Sequence, residues 1–233
     1  MTEMLTTLTE GLPKLGLPLS EDTAKQLCSF GCAVVEQNKV MNLTAITQPD
    51  LVAKLHLLDS LTLLTLEDLR GKKLIDVGCG AGFPGVPVKI ACPEVTLTLL
   101  DSLGKRMAWL ERILPELGVE ANCVTARAEE FVTTCREQYD IATSRAVARL
   151  NILLELTAPY VKVGGKILAM KGTAAHEELE EAKNAIKKLG LKLETVREFP
   201  VDGTAHTVIV LKKVATTPAQ YPRRYAKIKQ FPL

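Results

Sequence analysis

Residues 1–70 carry apolar positions at helical spacing. Ser20 is placed to cap a helix, with Glu21 and Asp22 in its first turn, and that helix is predicted to run to about Asn38. Asp50, after Pro49, begins another, with Leu51, Leu55 and Leu58 on one face. Beyond Gly71 short apolar runs alternate with helical patterns. Strands are predicted over 73–77, 96–101, 121–126, 139–144 and 166–170, with helices near 85–91, 104–117, 149–158 and 176–189. Such alternation implies a parallel sheet covered on both faces. The end breaks the rhythm. Residues 193–199 and 207–213 read as strands joined by a turn over 200–204, with no helix between them, so the sheet should close in an antiparallel hairpin.

The expected organisation is a helical extension over 1–70, a Rossmann-like α/β core over 71–214 and a basic tail over 215–233. A chain of 233 residues has room for one such core. Hydrophobic content of 47% and charged content of 24% are ordinary for a globular protein. Net charge is only +2 but uneven: residues 1–70 hold five Lys/Arg against nine Asp/Glu, whereas residues 212–233 hold six Lys/Arg and no acid. With Tyr221, Tyr225 and Phe231 interleaved, the basic end could grip phosphates and stack on bases, or serve only as a solvated tail. The six cysteines form no CxxC pair, and Cys28 and Cys32 have no His near them, so neither zinc nor a disulfide framework is expected. No signal pattern or bilayer-length apolar run is present, which points to a reduced, cytoplasmic enzyme.

The strongest local signal is Asp76-Val77-Gly78-Cys79-Gly80-Ala81-Gly82-Phe83-Pro84-Gly85, directly after the first strand of the core. Without a Cβ, the glycines let the backbone turn sharply and approach a ligand. Asp101 closes the second strand, 23 residues beyond Gly78, where a carboxylate can accept hydrogen bonds from a ribose diol. Asp76 either orients the loop or approaches a cationic part of the ligand. Gly80, Gly82 and Gly85 also satisfy GxGxxG, so a nicotinamide-dependent oxidoreductase is the competing reading. Three features favour S-adenosylmethionine: the glycine immediately after the strand, Pro84 and Pro87 at the helix entry, and the terminal hairpin expected of a class I methyltransferase.

Over residues 36–172 the sequence resembles the bacterial guanine-N7 methyltransferases of small-subunit (16S) ribosomal RNA, the glucose-inhibited division protein B family. The resemblance rests on ordered motifs: Asn38-Lys39-Val40 with Asn42-Leu43-Thr44, His56-Leu57-Leu58-Asp59-Ser60, the glycine block, Leu100 to Arg106, Arg127 to Phe131, Ser144-Arg145-Ala146-Val147-Ala148, and Lys171-Gly172. It implies a mostly parallel seven-stranded class I fold, S-adenosylmethionine as cofactor, and contacts to it from Gly78, Phe83, Ala128, Glu129 and Arg145. Together with Gly80 and Asp101 these form the expected cofactor site. Two departures stand out. Tyr221-Pro222-Arg223-Arg224 is followed by Tyr225-Ala226 rather than small flexible residues, and Cys79 and Phe83 replace the usual Thr and Leu.

Methyl transfer to a guanine N7 needs no general base, because N7 has a free in-plane lone pair and no proton to lose. Catalysis should then come from alignment and from stabilising charge on the purine. Arg145 is the best catalytic candidate, and it could hold a cofactor carboxylate or a substrate phosphate. Lys105, Arg106, Arg149, Lys171, Arg223 and Arg224 are the candidates for the RNA of a small-subunit particle, although Lys105 and Arg106 also read as ordinary solvated charge. His56 and Asp59 share a predicted helix, with a structural or a substrate-side role. Trp109 is expected in the core, and no metal or membrane partner is expected.

Overall fold

The computed structural model describes residues 2–201 and 203–233; Met1 and Asp202, the latter in the expected turn, lie outside the described residues. Two helices open the chain, α1 (Thr2–Lys14) and α2 (Glu21–Asn38). Met4, Leu8 and Leu12 form the buried stripe of α1. Ser20 caps α2 as expected, its hydroxyl accepting a bond from the Thr23 amide at 3.1 Å. The next helical run starts at α3 (Pro49–Val52), widens into a π-helical turn (Ala53–Leu58), and continues as α4 (Asp59–Leu61) and a 3-10 turn (Thr62–Thr65). The π turn contains His56 and ends one residue before Asp59. Such turns gather at functional positions.

The core alternates β1 (Lys73–Val77), α5 (Gly85–Ala91), β2 (Thr96–Asp101), α6 (Gly104–Glu116), β3 (Asn122–Thr125), α7 (Ala128–Cys135), β4 (Tyr139–Arg145), α8 (Leu150–Thr157) and β5 (Val161–Lys171). Then come α9 (Ala175–Glu181), α10 (Lys183–Lys188), β6 (Leu191–Val201), β7 (Thr204–Lys213) and α11 (Tyr225–Gln230). The seven strands lie in the order β3-β2-β1-β4-β5-β7-β6. The first five pair in parallel, while β7 runs antiparallel to both β5 and β6. This is the mostly parallel sheet with a terminal hairpin that a class I methyltransferase carries, and it removes the support for a nicotinamide-binding sheet.

Alternation along the strands divides the interior into two layers. Leu74, Leu97, Leu99, Ile141 and Leu168 face a layer shared with α1, α2, α5 and α6. Ile75, Leu100, Ala142, Ile167 and Ala169 face a layer shared with α7, α8 and α10. Trp109 is buried in the first layer, so its place in the core is as expected. Two elements differ from the sequence pattern. The helix predicted over 176–189 is broken at Ala182 (φ −82°, ψ 0°) into α9 and α10. Strand β5 starts five residues before its expected apolar run, because Val161 already pairs with Tyr139 across a β-bulge. No disulfide joins the cysteines of the described residues, and no helix among them is long and apolar enough to cross a membrane.

Candidate functional site

Ligands of open α/β sheets bind beyond the carboxyl ends of the strands, and a divided cleft lies there. A larger cavity of about 800 Å³ is lined by Thr44, His56, Asp59, Phe83, Lys171 and His206, among others. A smaller one of about 250 Å³ is lined by Asp101, Ser102, Arg127, Ala128, Glu129 and Tyr225, among others. Gly78, Arg106, Ala146 and Val147 line both. The segment after β4 thus stands beside the glycine loop where the two chambers meet.

The loop is shaped by carboxylates at the ends of two strands. Asp101 accepts the Gly80 amide on Oδ2 at 3.0 Å and the Leu103 amide on Oδ1 at 2.8 Å, tying the β1 loop to the β2 end. Asp76 holds the far end of the loop, its Oδ2 accepting the Gly85 amide at 2.8 Å. It sits behind the loop and outside both cavity walls, so of its two expected roles the structure supports orienting the loop. Its Oδ1 is buried without a hydrogen-bond partner. Burial pushes the carboxyl up to about 7, against the opposing pull of the Gly85 amide and the Arg145 charge. Gly78 has φ +74°, and a Cβ there would lie 2.4 Å from a methyl of Val147. Only glycine suits both the backbone and the space.

The larger chamber is backed by a cluster that joins four elements. From the end of β4, Arg145 donates through Nη1 to the Leu55 carbonyl (2.9 Å) and to Asp59 Oδ2 (3.1 Å). Its Nη2 stands 3.2 Å from His56 Nδ1, and its guanidinium lies 5.0 Å from the centre of the Phe83 ring. His56 Nδ1 also lies 3.1 Å from the Leu55 carbonyl, and its Nε2 lies 2.7 Å from Thr44 Oγ1, so both ring nitrogens are engaged within the protein. Burial, helped by the Arg145 charge, lowers the His56 pKa to about 4, so its imidazole is neutral. His206 Nδ1 donates to the other oxygen of Asp59 at 2.8 Å, and that bond raises its pKa. Sequence reasoning missed His206. Only the pairing of β7 with β5 brings it to Asp59, and its one signal was that the chain has just three histidines.

The structure brings Gly78, Gly80, Phe83, Asp101, Ala128, Glu129 and Arg145 to this cleft. Phe83 is a buried wall, packed on Phe30 and His56 with centroids 5.3 and 4.8 Å away. The basic candidates separate into two groups. Lys105 and Arg224 are exposed, and Arg106 reaches the Asn42 carbonyl at 3.3 Å while lining both chambers. Arg149, Lys171 and Arg223 have intramolecular partners instead. Arg149 forks onto Glu177 and Glu181 (each 2.7 Å). Lys171 is buried against Glu178 (2.8 Å) and the Ala148 carbonyl (2.5 Å). Arg223 forks onto fully buried Glu155, Nε to Oε1 at 2.8 Å and Nη2 to Oε2 at 2.6 Å.

Cys79 is buried, its thiol pushed well above the ordinary range by desolvation. No group of three or more His, Cys, Asp or Glu among the described residues is arranged to hold a metal. What the cleft offers is carboxylates and a hydroxyl at one end, the glycine loop in the middle and a fixed cation at the other.

Comparison with known proteins agrees with this arrangement. Residues 23–206 match the family profile described as rRNA small subunit methyltransferase G. The chain is 44% identical over 230 residues to the ribosomal RNA small subunit methyltransferase G of Lactobacillus johnsonii, covering 95% of this chain and 96% of that protein. It is 43% identical over 223 residues to the protein of the same name from Alkaliphilus metalliredigens, covering 93% of each. A TehB-like SAM-dependent methyltransferase of Corynebacterium glutamicum shares the fold, with a TM-score of 0.51 and 20% identity over 66% of this chain and 87% of that one. The chain therefore belongs to the rRNA small subunit methyltransferase G family, in the class of S-adenosylmethionine-dependent methyltransferases.

Proposed function

We propose that this chain transfers the methyl group of S-adenosylmethionine to N7 of a guanine in 16S ribosomal RNA, presented by a small-subunit particle. The observation that carries the reading is the divided cleft at the strand ends. One chamber has the chemistry of a nucleoside site and the other is large enough for a second planar ligand. The donor set fits the cofactor. Asp101, Ser102 and Glu129 supply acceptors for sugar hydroxyls, Ala128 a small neighbour for a purine, and the loop at Gly78 and Gly80 a backbone cradle that a Cβ would fill. When bound, S-adenosylmethionine supplies an electrophilic methyl on a sulfonium.

The chain's own work is then alignment. Guanine N7 needs no deprotonation, and the neutral His56 is turned to Arg145 and Thr44 rather than offered as a base. Arg145 has three of its directions occupied by Leu55, His56 and Asp59, so its charge is fixed before any substrate arrives. As N7 gives its lone pair to the methyl, the purine gains the positive charge that the sulfonium loses, so the cation at the chamber wall serves by holding a cofactor carboxylate or a substrate phosphate in line rather than by stabilising the purine. His206 and Asp59 hold that cation in place, and Phe83 beneath it excludes water.

N7 faces the deep major groove in paired RNA, which side chains reach poorly, so the target must be an open or unassembled element. Phosphate contacts fall to Lys105, Arg106 and Arg224, joined by exposed Lys227 and Lys229, while Arg149, Lys171 and Arg223 act indirectly by holding the surfaces that carry them. Nucleoside mass spectrometry of 16S RNA from cells lacking the protein tests the assignment. One 7-methylguanosine should be missing and should return on re-expression. An unchanged 7-methylguanosine content, or loss of a different modification, overturns it.

A further inference from the structure

The C-terminal segment is fastened across α7 and α8 by more than apolar contact. The Arg136 guanidinium donates to the carbonyls of Thr217 (2.8 Å), Pro218 (3.1 Å) and Tyr221 (2.8 Å). Arg223 forks onto buried Glu155, and its backbone amide donates to the same carboxylate at 2.9 Å. Tyr221 and Ile228 are buried. These anchors deliver the first residue of α11, Tyr225, into the wall of the smaller chamber beside Asp101, Ser102, Ala128 and Glu129. There the Arg127 guanidinium lies 4.5 Å from the centre of the Tyr225 ring, and Arg127 Nε reaches Glu129 Oε1 at 3.3 Å. The ring is half-buried and fixed on one side by a cation, whereas Arg224, Lys227 and Lys229 around it are exposed.

We propose that Tyr225 is a cofactor-binding residue: its ring forms part of the wall on which the adenine of S-adenosylmethionine stacks, so that the C-terminal segment closes the nucleoside end of the cleft. The proposal rests on the cofactor reading above. A purine has two flat faces and a polar edge. The chamber gives polar groups for the edge and ribose, and among the described residues Tyr225 is the one aromatic side chain in its wall. Base–aromatic stacking is strong and indifferent to base identity, so a ring placed here contributes affinity without any specific hydrogen bond. The tail is therefore not only a basic arm toward RNA. Its inner face belongs to the cofactor site, and the Arg136 and Arg223 anchors keep that face in register.

Calorimetry of the full chain tests this, with S-adenosylhomocysteine and, separately, 5′-methylthioadenosine, which lacks the amino-acid end. Tyr225→Leu keeps apolar bulk but loses the flat ring, and should weaken both ligands by about tenfold. Tyr225→Phe keeps the ring and should bind within about twofold of the wild type. Wild-type affinity in Tyr225→Leu, or loss of RNA binding with cofactor affinity unchanged, overturns the proposal and returns Tyr225 to the RNA side. Loss of affinity for S-adenosylhomocysteine but not for 5′-methylthioadenosine overturns it as well, since the contact would not be with adenine. A wild-type chain that binds neither ligand overturns both the proposal and the cofactor reading, so the two failures are distinguishable.

Discussion

Arg145 and Asp59, 86 residues apart in the chain, meet through a hydrogen bond of 3.1 Å between Nη1 and Oδ2. Asp59 carries His206 on its other oxygen, and the Asp59 side chain is only 4% exposed. One buried carboxylate on a helix outside the sheet thus accepts from two donors, Arg145 of β4 and His206 of β7. Removing one member of such a pair leaves the other's charge uncompensated, at a cost of roughly 3–5 kcal/mol. Asp59→Ala should lose about that much stability in urea denaturation. Asp59→Asn, which keeps one acceptor, should lose less. Equal stability of wild type and Asp59→Ala would show that the cluster does not hold the N-terminal helices to the sheet.

Three groups of the site make stability depend on pH, and their signs differ. His56 is pushed down to about 4 by burial, so between about 4 and 6.5 the unfolded chain binds a proton that the folded chain refuses. Its contribution therefore rises with pH across that window. Asp76 is pushed up to about 7 by burial, so the folded chain keeps a proton that the unfolded chain has lost above 3.8. Its contribution falls with pH up to about 7. His206 is raised by its bond to Asp59, so its contribution is complete below 6.5 and fades as the pH climbs through the raised value. In the wild type the first two oppose each other below 6.5 and stability declines above it. His56→Gln should leave stability falling steadily from about pH 5 to about pH 7, and Asp76→Asn should make it rise from about pH 5 to about pH 6.5, each departing from wild type by roughly 1–3 kcal/mol. Parallel profiles for all three proteins would contradict these assignments.

Glu155 and Arg223 hold the C-terminal segment, with Glu155 wholly buried and the fork bidentate. Arg223→Ala strands that carboxylate and should cost roughly 3–5 kcal/mol, with the tail becoming an early site of limited proteolysis. Arg223→Lys should recover only part of this, because an ammonium cannot reproduce the planar fork. A resistant tail in Arg223→Ala would show that Arg136 and Tyr221 suffice to dock it.

The contrast between Asp101 and Arg223 shows what the sequence makes legible. The glycine loop and Asp101 were readable because their placement is local: each lies at a strand end, and strand ends follow from apolar periodicity, whereas Ala128 and Glu129 were implied by the family resemblance. The terminal hairpin was readable from two strands with a turn and no helix between them. Arg223 was not, since its partner Glu155 sits 68 residues earlier in a helix whose pattern gives no hint of a buried acid. A basic, aromatic tail looks the same whether its cations face RNA or an internal carboxylate. His206 was hidden for the same reason, because strand pairing alone places it at Asp59. The π turn at 53–58 and the break at Ala182 leave no mark in apolar spacing.

Gly78 offers a local test of the cradle. Alanine there combines a left-handed backbone at φ +74° with a Cβ 2.4 Å from a Val147 methyl, so the loop or the segment after β4 must shift. Gly78→Ala should weaken S-adenosylhomocysteine binding by more than about tenfold, which is about 1.4 kcal/mol, with a smaller change in stability. Adding Val147→Ala removes the steric part and should restore some affinity, but the backbone strain remains. Wild-type affinity in the single variant, measured by calorimetry, would remove the loop from the cofactor site.

The central claim is methyl transfer to guanine N7, and the most direct measurement is a single-turnover reaction of the purified chain. Methyl-labelled S-adenosylmethionine would be mixed with small-subunit particles that lack the modification, and the RNA digested to nucleosides and resolved by mass spectrometry. The account predicts label in 7-methylguanosine from one site. Label in any other nucleoside, or none in the RNA from particles or from naked 16S RNA, would contradict it.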